Sequence, residues 1–131
     1  MTTTPVNPWP WSLEYGYSQA LLVERGDRVL YCAGQTAMDA QGAPQHAGDM
    51  RGQMALALEN LGSVLGAAGM GFGHVVRLVV YATDVDEAMR CLDLLGARFG
   101  PVGVRPAMTL VGVTRLALPS LMVELEATAV G

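Results

Sequence analysis

The run Leu121-Met122-Val123-Glu124-Leu125-Glu126-Ala127 alternates in a period of two. An extended strand suits that pattern, because successive side chains leave a strand on opposite faces. Leu121, Val123 and Leu125 then face a core, and Met122, Glu124 and Glu126 face away from it. A chain holding this segment must build a sheet with one covered face and one face carrying two carboxylates. Ala107 to Val113 reads as the preceding strand, with Met108 and Leu110 expected to point away from the core as well.

The remaining segments supply the cover. Residues 1–16 hold prolines at 5, 8 and 10 and read as an irregular arm, pinned to the body by Trp9, Trp11, Tyr15 and Tyr17. Ser18 to Glu24 and Arg28 to Ala33 read as a β-hairpin turning at Arg25-Gly26-Asp27. Met54, Leu58, Leu61, Leu65 and Ala68 form one apolar stripe of a helix from Asp49 to Ala68, with Gly48-Asp49 starting it and Gly69 ending it. Its internal glycines lower the propensity. His74 to Thr83 is a strand whose nearly continuous apolar run predicts burial on both faces. Asp84, with Glu87 three residues on, caps a second helix with the stripe Ala88, Leu92, Leu95 and Phe99, which Gly100-Pro101 stops.

The order β-β-α-β-α-β-β predicts an α+β fold, with a mixed sheet and two helices packed on one face. The strand–helix–strand unit from His74 to Val113 predicts a right-handed crossover. Residues 1–131 read as a single domain. Hydrophobic residues make up 51% and charged residues 15%, which suggests apolar surface buried between subunits. Self-association is the simplest cover for the sheet face without helices.

Charge excludes several classes. The net charge is -4, and all eight basic residues are arginines. Nucleic acid and anionic membranes are poor partners for such a chain, and a lysine Schiff base is excluded. Cys32 and Cys91 sit in no metal spacing and read as reduced thiols. With no targeting segment and no apolar run of spanning length, the expected location is cytoplasmic. His46 and His74 have no metal-ligand spacing and read as structural. Ser12, Ser18, Ser63 and Ser120 form no nucleophile elbow. Gly69-Met70-Gly71-Phe72-Gly73 follows a helix and precedes a strand, so it is a turn and not a phosphate loop.

Glu124 and Glu126 carry the sharpest chemical signal. A carboxylate desolvated at a subunit interface can act as a general acid or base. It can equally form an ion pair with an arginine across that interface. Tyr17, at the mouth of the first strand, either orients a ligand oxygen or packs.

Several segments resemble the Rid/YjgF family, the reactive intermediate deaminases. They are Gly16-Tyr17-Ser18-Gln19, Ala33-Gly34-Gln35, Gly48-Asp49, Glu59-Asn60-Leu61, Ala67-Ala68-Gly69, Val75-Val76 to Asp84, Pro106-Ala107 and Val123-Glu124-Leu125-Glu126-Ala127. They occur in the family's order and cover about residues 15–130. The resemblance implies a chorismate-mutase-like fold and a homotrimer. The trimer's sheets line a barrel, and small molecules bind in clefts between subunits. Deaminating members hydrolyse enamines and imines to a keto acid and ammonia with no metal or organic cofactor.

The resemblance also assigns residues. Tyr17 and Glu124 match the family's cleft tyrosine and acid. The arginine that clamps the substrate carboxylate is replaced by Met108, the small hydroxyl residue before Gly34 by Ala33, and a helix asparagine by Leu92. Leu110 joins the same lining. Arg105 either substitutes for the lost clamp or, having the opposite strand parity, does not. The implied activity is imine or enamine hydrolysis, or a related proton transfer, on a larger and less charged ligand. A non-catalytic trimer binding an apolar metabolite or a partner protein is the alternative. Ribonuclease activity, sometimes attached to the family, is opposed by the acidic pI and the absence of lysine and of a histidine pair.

Overall fold

The computed structural model describes residues Met1 to Gly131. It contains β1 (Thr2–Val6), β2 (Ala20–Glu24), β3 (Val29–Tyr31), α1 (Met50–Ala67), β4 (Val75–Ala82), α2 (Val85–Met89), α3 (Leu92–Phe99), β5 (Ala107–Gly112) and β6 (Val123–Val130). The main sheet has the order β3-β6-β4-β5. β6 is antiparallel to both β3 and β4, whereas β4 and β5 are parallel. The fold is mixed α+β, as the element order predicts.

The helices cover one face. Met54, Leu58, Leu61 and Leu65 of α1 are buried against Leu78, Val80, Val123 and Leu125 of the sheet. Each such leucine removed from water contributes about 1.5–3 kcal/mol. α1 starts as expected, with the Asp49 carboxylate accepting the Gly52 N–H at 3.0 Å. Gln53 is the unexpected core residue, fully buried beside the leucines. Its Nε2 donates to the carbonyls of His46 and Ser120, and its Oε1 accepts the Met122 N–H at 2.8 Å. It thereby ties α1 to the entrance of β6.

Four expectations are corrected. The segment before residue 16 is not an irregular arm. Its Thr2-Thr3-Thr4 run is β-branched and pairs as β1, antiparallel to β2. Pro5 is tolerated because β1 is an edge. A 3₁₀ turn follows at Pro10–Tyr15.

Secondly, β2 and β3 are not a hairpin. Gly26 lies directly against Val130, and Arg28 and Gly131 exchange two backbone hydrogen bonds of 3.0 Å. β3 is thus zipped onto β6, and β2 takes β1 as its partner.

Thirdly, the second helix breaks into α2 and α3 at Arg90-Cys91. The Arg51 guanidinium reaches over from α1, donating to the Arg90 carbonyl at 3.1 Å and to both oxygens of Asp93 at 2.9 Å. The Arg51 guanidinium lowers the pKa of Asp93. The stripe survives the break: Ala88, Leu95 and Phe99 are buried, and Leu92 packs on their edge.

Fourthly, β4 is not buried on both faces. Leu78, Val80 and Ala82 are fully buried, while Arg77, Val79 and Tyr81 line a face that no helix covers. Glu124, Glu126 and Thr128 stand beside them on β6. This uncovered face is therefore mixed in polarity.

Candidate functional site

The register of the sheet decides which side chains meet. β5 pairs with β4 so that Met108 lies beside Leu78 and Leu110 beside Val80. Leu78 and Val80 face the helices, and so do Met108 and Leu110. This overturns the expectation that they point away. Sequence alternation gives the relative parity within a strand, but only pairing gives its absolute phase.

Met108 and Leu110, with Trp11, Tyr17, Met89 and Leu92, line a cavity of about 610 Å³. Tyr17 and Trp11 form an edge-to-face pair with centroids 6.2 Å apart. Ser18 holds this corner. Its hydroxyl donates to the Arg105 carbonyl at 2.7 Å, and its N–H donates to the Pro106 carbonyl at 3.2 Å. The chain entering β2 is thus fastened to the chain entering β5, which sets Tyr17 beside Met108. A second lobe of about 300 Å³ shares Tyr15, Leu92 and Met108 and is also lined by Glu14 and Asp93.

The acidic residues lie elsewhere. After β3 the chain continues along β6: the Cys32 N–H donates to Ala127 at 2.9 Å, and Gln35 and Leu125 exchange bonds of 2.7 and 2.9 Å. Pairing advances by one residue between Tyr31↔Thr128 and Gln35↔Leu125, which makes a bulge at Ala33-Gly34. Asn60 of α1 fastens the following loop by donating to the carbonyls of Thr36 and Met38 at 2.8 and 3.0 Å. The bulge brings Gly34 against Glu124, whose carboxylate fills the space a Cβ on Gly34 would need. The half-buried Glu124 carboxylate makes no hydrogen bond or ion pair within the chain. A hollow of about 340 Å³ is lined here by Ala33, Gly34, Tyr81, Leu116, Glu124 and Glu126.

Tyr81 is the residue the sequence reading did not single out. It stands opposite Glu124 across the β4–β6 ladder, and its phenol donates to Glu126 at 3.1 Å. The hydrogen bond to Glu126 raises the phenol pKa, with desolvation adding in the same direction. The signal was present as alternation: Tyr81 occupies the polar-facing position of β4. Cys32 also borders this hollow, but burial raises its pKa and keeps it a thiol.

The candidate residues therefore form two groups. Tyr17, Leu92, Met108 and Leu110 gather on the helix side of the sheet. Ala33, Gly34 and Glu124 gather on the other side. Arg105 joins neither, lining a separate hollow with Ser18 and residues of β1. His46 and His74 sit at opposite ends of α1, roughly 27 Å of helix apart. No helix is long and apolar enough to cross a membrane.

The profile of the family described as Endoribonuclease L-PSP matches residues 12–131. Over 114 residues the chain is 36% identical to the protein DfrA of Myxococcus xanthus, covering 87% of this chain and 84% of that one. It is 35% identical over 114 residues to the 2-iminobutanoate/2-iminopropanoate deaminase of Rattus norvegicus, covering 87% and 79%. Among solved structures, a Rid-family protein of unknown function from Yersinia pestis, YyfB, superposes with a TM-score of 0.89 at 34% identity over the whole of both chains. TdcF of E. coli, solved with bound serine, superposes with a TM-score of 0.71 at 26% identity, covering 88% and 87%. The sheet order, the one-sided helices and a profile match running from the 3₁₀ turn to the C-terminus agree, and the chain belongs to the Rid (YjgF) family.

Proposed function

We propose that this protein hydrolyses an imine or enamine, with a specificity shifted away from small α-imino acids. The observation that carries the reading is Glu124: a half-buried carboxylate, held against the Gly34 bulge, with no partner of its own. Such a group can take a proton from water. The water oxygen bonds to the imine carbon while the nitrogen takes up that proton, giving a carbinolamine. The acid then moves the hydroxyl proton to the nitrogen, the carbon–nitrogen bond breaks, and ammonia leaves with a carbonyl behind it. Proton transfer between carbon and nitrogen, converting enamine to imine, needs the same group.

The two groups of candidate residues lie on opposite sides of one sheet, so one chain does not bring them together. The proposed working unit is a homotrimer. In it, Glu124, Ala33 and Gly34 of one copy face Tyr17, Leu92, Met108 and Leu110 of the next. Tyr17 and the backbone at Ala33-Gly34 orient the ligand. Arg105 has no role in this reading, because within one chain it lines a different hollow.

The test is ammonia and keto-acid release from 2-aminoacrylate generated in situ, for the wild type, Met108→Arg and Glu124→Gln. Loss of general acid–base assistance predicts a fall on the order of 10²–10⁴-fold for Glu124→Gln. Unchanged turnover of a substrate by Glu124→Gln would sink the proposal.

A second reading is a non-catalytic trimer that binds an apolar metabolite. Met108 and the apolar cavity around it favour it. Tight binding of unreactive apolar ligands, with no turnover of any imine, would select it. RNA cleavage is opposed by the absence of lysine and by the separation of His46 and His74 along the length of α1.

A further inference from the structure

We infer that the groove around Met108 is built for a ring-bearing nitrogen compound without a carboxylate, neutral or cationic, such as an arylalkyl imine, its iminium or the parent amine. This rests on the proposed function for the imine chemistry, and names the ligand class of that same site.

Three observations carry it. The larger lobe, about 610 Å³, has five flat or polarizable side chains in its lining, Trp11, Tyr15, Tyr17, Met89 and Met108, beside aliphatic ones such as Leu92 and Leu110. Aromatic faces and thioethers suit a ring, and the electron-rich faces also attract a cation. Secondly, the chain itself contributes no arginine to the lining of either lobe, so this half of the site offers a ligand carboxylate no counter-ion. Thirdly, the charges that do border the groove are carboxylates, Glu14 and Asp93, in the lining of the smaller lobe. Asp93 is already held by Arg51, which leaves Glu14 as the free acid. The space exceeds what a three- or four-carbon imino acid fills, and fits a drug-sized molecule.

The class of reaction that supplies such a ligand is oxidation of a primary amine to its imine. That oxidation passes two electrons and two protons to the acceptor of a separate amine oxidase or dehydrogenase. Hydrolysis of the imine, itself redox-neutral, yields an aldehyde or ketone and ammonia.

Trp11 provides the readout. Tryptophan fluorescence of the intact protein is titrated with 3-phenylpropylamine, with 3-phenylpropanoate and with propylamine. The expected result is binding of the aryl amine about tenfold or more tighter than either control, as a cation–aromatic contact plus ring burial requires. Met108→Arg is expected to reverse the order between amine and carboxylate. Glu14→Gln, an exposed change that leaves the fold untouched, is expected to weaken amine binding alone. Equal or tighter binding of the carboxylate by the wild type overturns the inference, as does absence of any response to the aryl amine. The proposed function fails separately. Aryl amine binding without ammonia release from any imine removes the hydrolase and leaves the ligand class standing. Turnover of 2-aminoacrylate with a preference for the carboxylate probe does the opposite.

Discussion

Met108 and Glu124 stand on opposite faces of the same sheet. Met108 pairs with Leu78, which faces the helices, whereas Glu124 pairs with Tyr81, which faces away from them. Any chemistry using both positions needs a second copy of the chain.

That arrangement predicts complementation. Glu124→Gln and Tyr17→Ala damage different halves, so each variant alone should be inactive. Unfolding and refolding them together should restore up to about a quarter of the sites in a randomly mixed cyclic oligomer. Ammonia release from the mixture is the measurement. No recovery in a mixed oligomer would mean that both halves act within one chain.

Gly34→Ala is expected to fold normally and lose activity. The backbone at Gly34 does not need a positive φ, but an added Cβ would collide with the Glu124 carboxylate. Glu124 is the mobile partner and must swing away. Turnover should drop by at least about 10²-fold if Glu124 is the acid–base group, with thermal stability nearly unchanged. A fully active Gly34→Ala would show that the position of Glu124 does not matter.

Gln53→Leu tests how α1 is fastened. Leucine fits the apolar surroundings but leaves the Met122 N–H and the carbonyls of His46 and Ser120 without their partner. Each buried group left unpaired costs about 1–3 kcal/mol, so with three of them a loss of at least about 3 kcal/mol is expected. Urea denaturation would read this as a lower midpoint at constant slope.

The Tyr81–Glu126 contact should appear in alkaline titrations. The folded-state pKa of Tyr81 is raised above the ordinary value of 10.0. Its contribution to stability is therefore complete below the unfolded pKa and disappears as pH rises through the folded one. Phenolate absorbance should show Tyr81 titrating above the ordinary tyrosine value, and Glu126→Gln should bring it back down. Tyr81→Phe should remove that part of the alkaline loss of stability. An alkaline titration of Tyr81 left unchanged by Glu126→Gln would contradict the contact.

Local pattern made much of this legible in advance. The stripe from Met54 to Leu65 placed α1, Asp49 and Asp84 marked helix starts, and alternation in β6 separated Val123 and Leu125 from Glu124 and Glu126. These are short-range properties, set by the geometry of one helix or one strand. The segments between Tyr17 and Glu124 carry the family's pattern in its order.

Long-range pairing was not legible. Whether β2 joins β1 or β3 depended on Gly26 meeting Val130 and on Arg28 meeting Gly131, contacts across the length of the chain. The break between α2 and α3 depended on Arg51, a residue of another helix. Gln53 looked like an ordinary helix residue until the entrance to β6 closed over it.

The sequence by itself therefore determined the elements, their apolar faces and the residue types available for chemistry, because periodicity and capping act within a few residues. Only the tertiary structure decided which face Met108 shares and which glycine Glu124 leans on. Strand register and sheet order are set by pairing between distant segments, and a strand's own alternation is equally satisfied with either face turned inward.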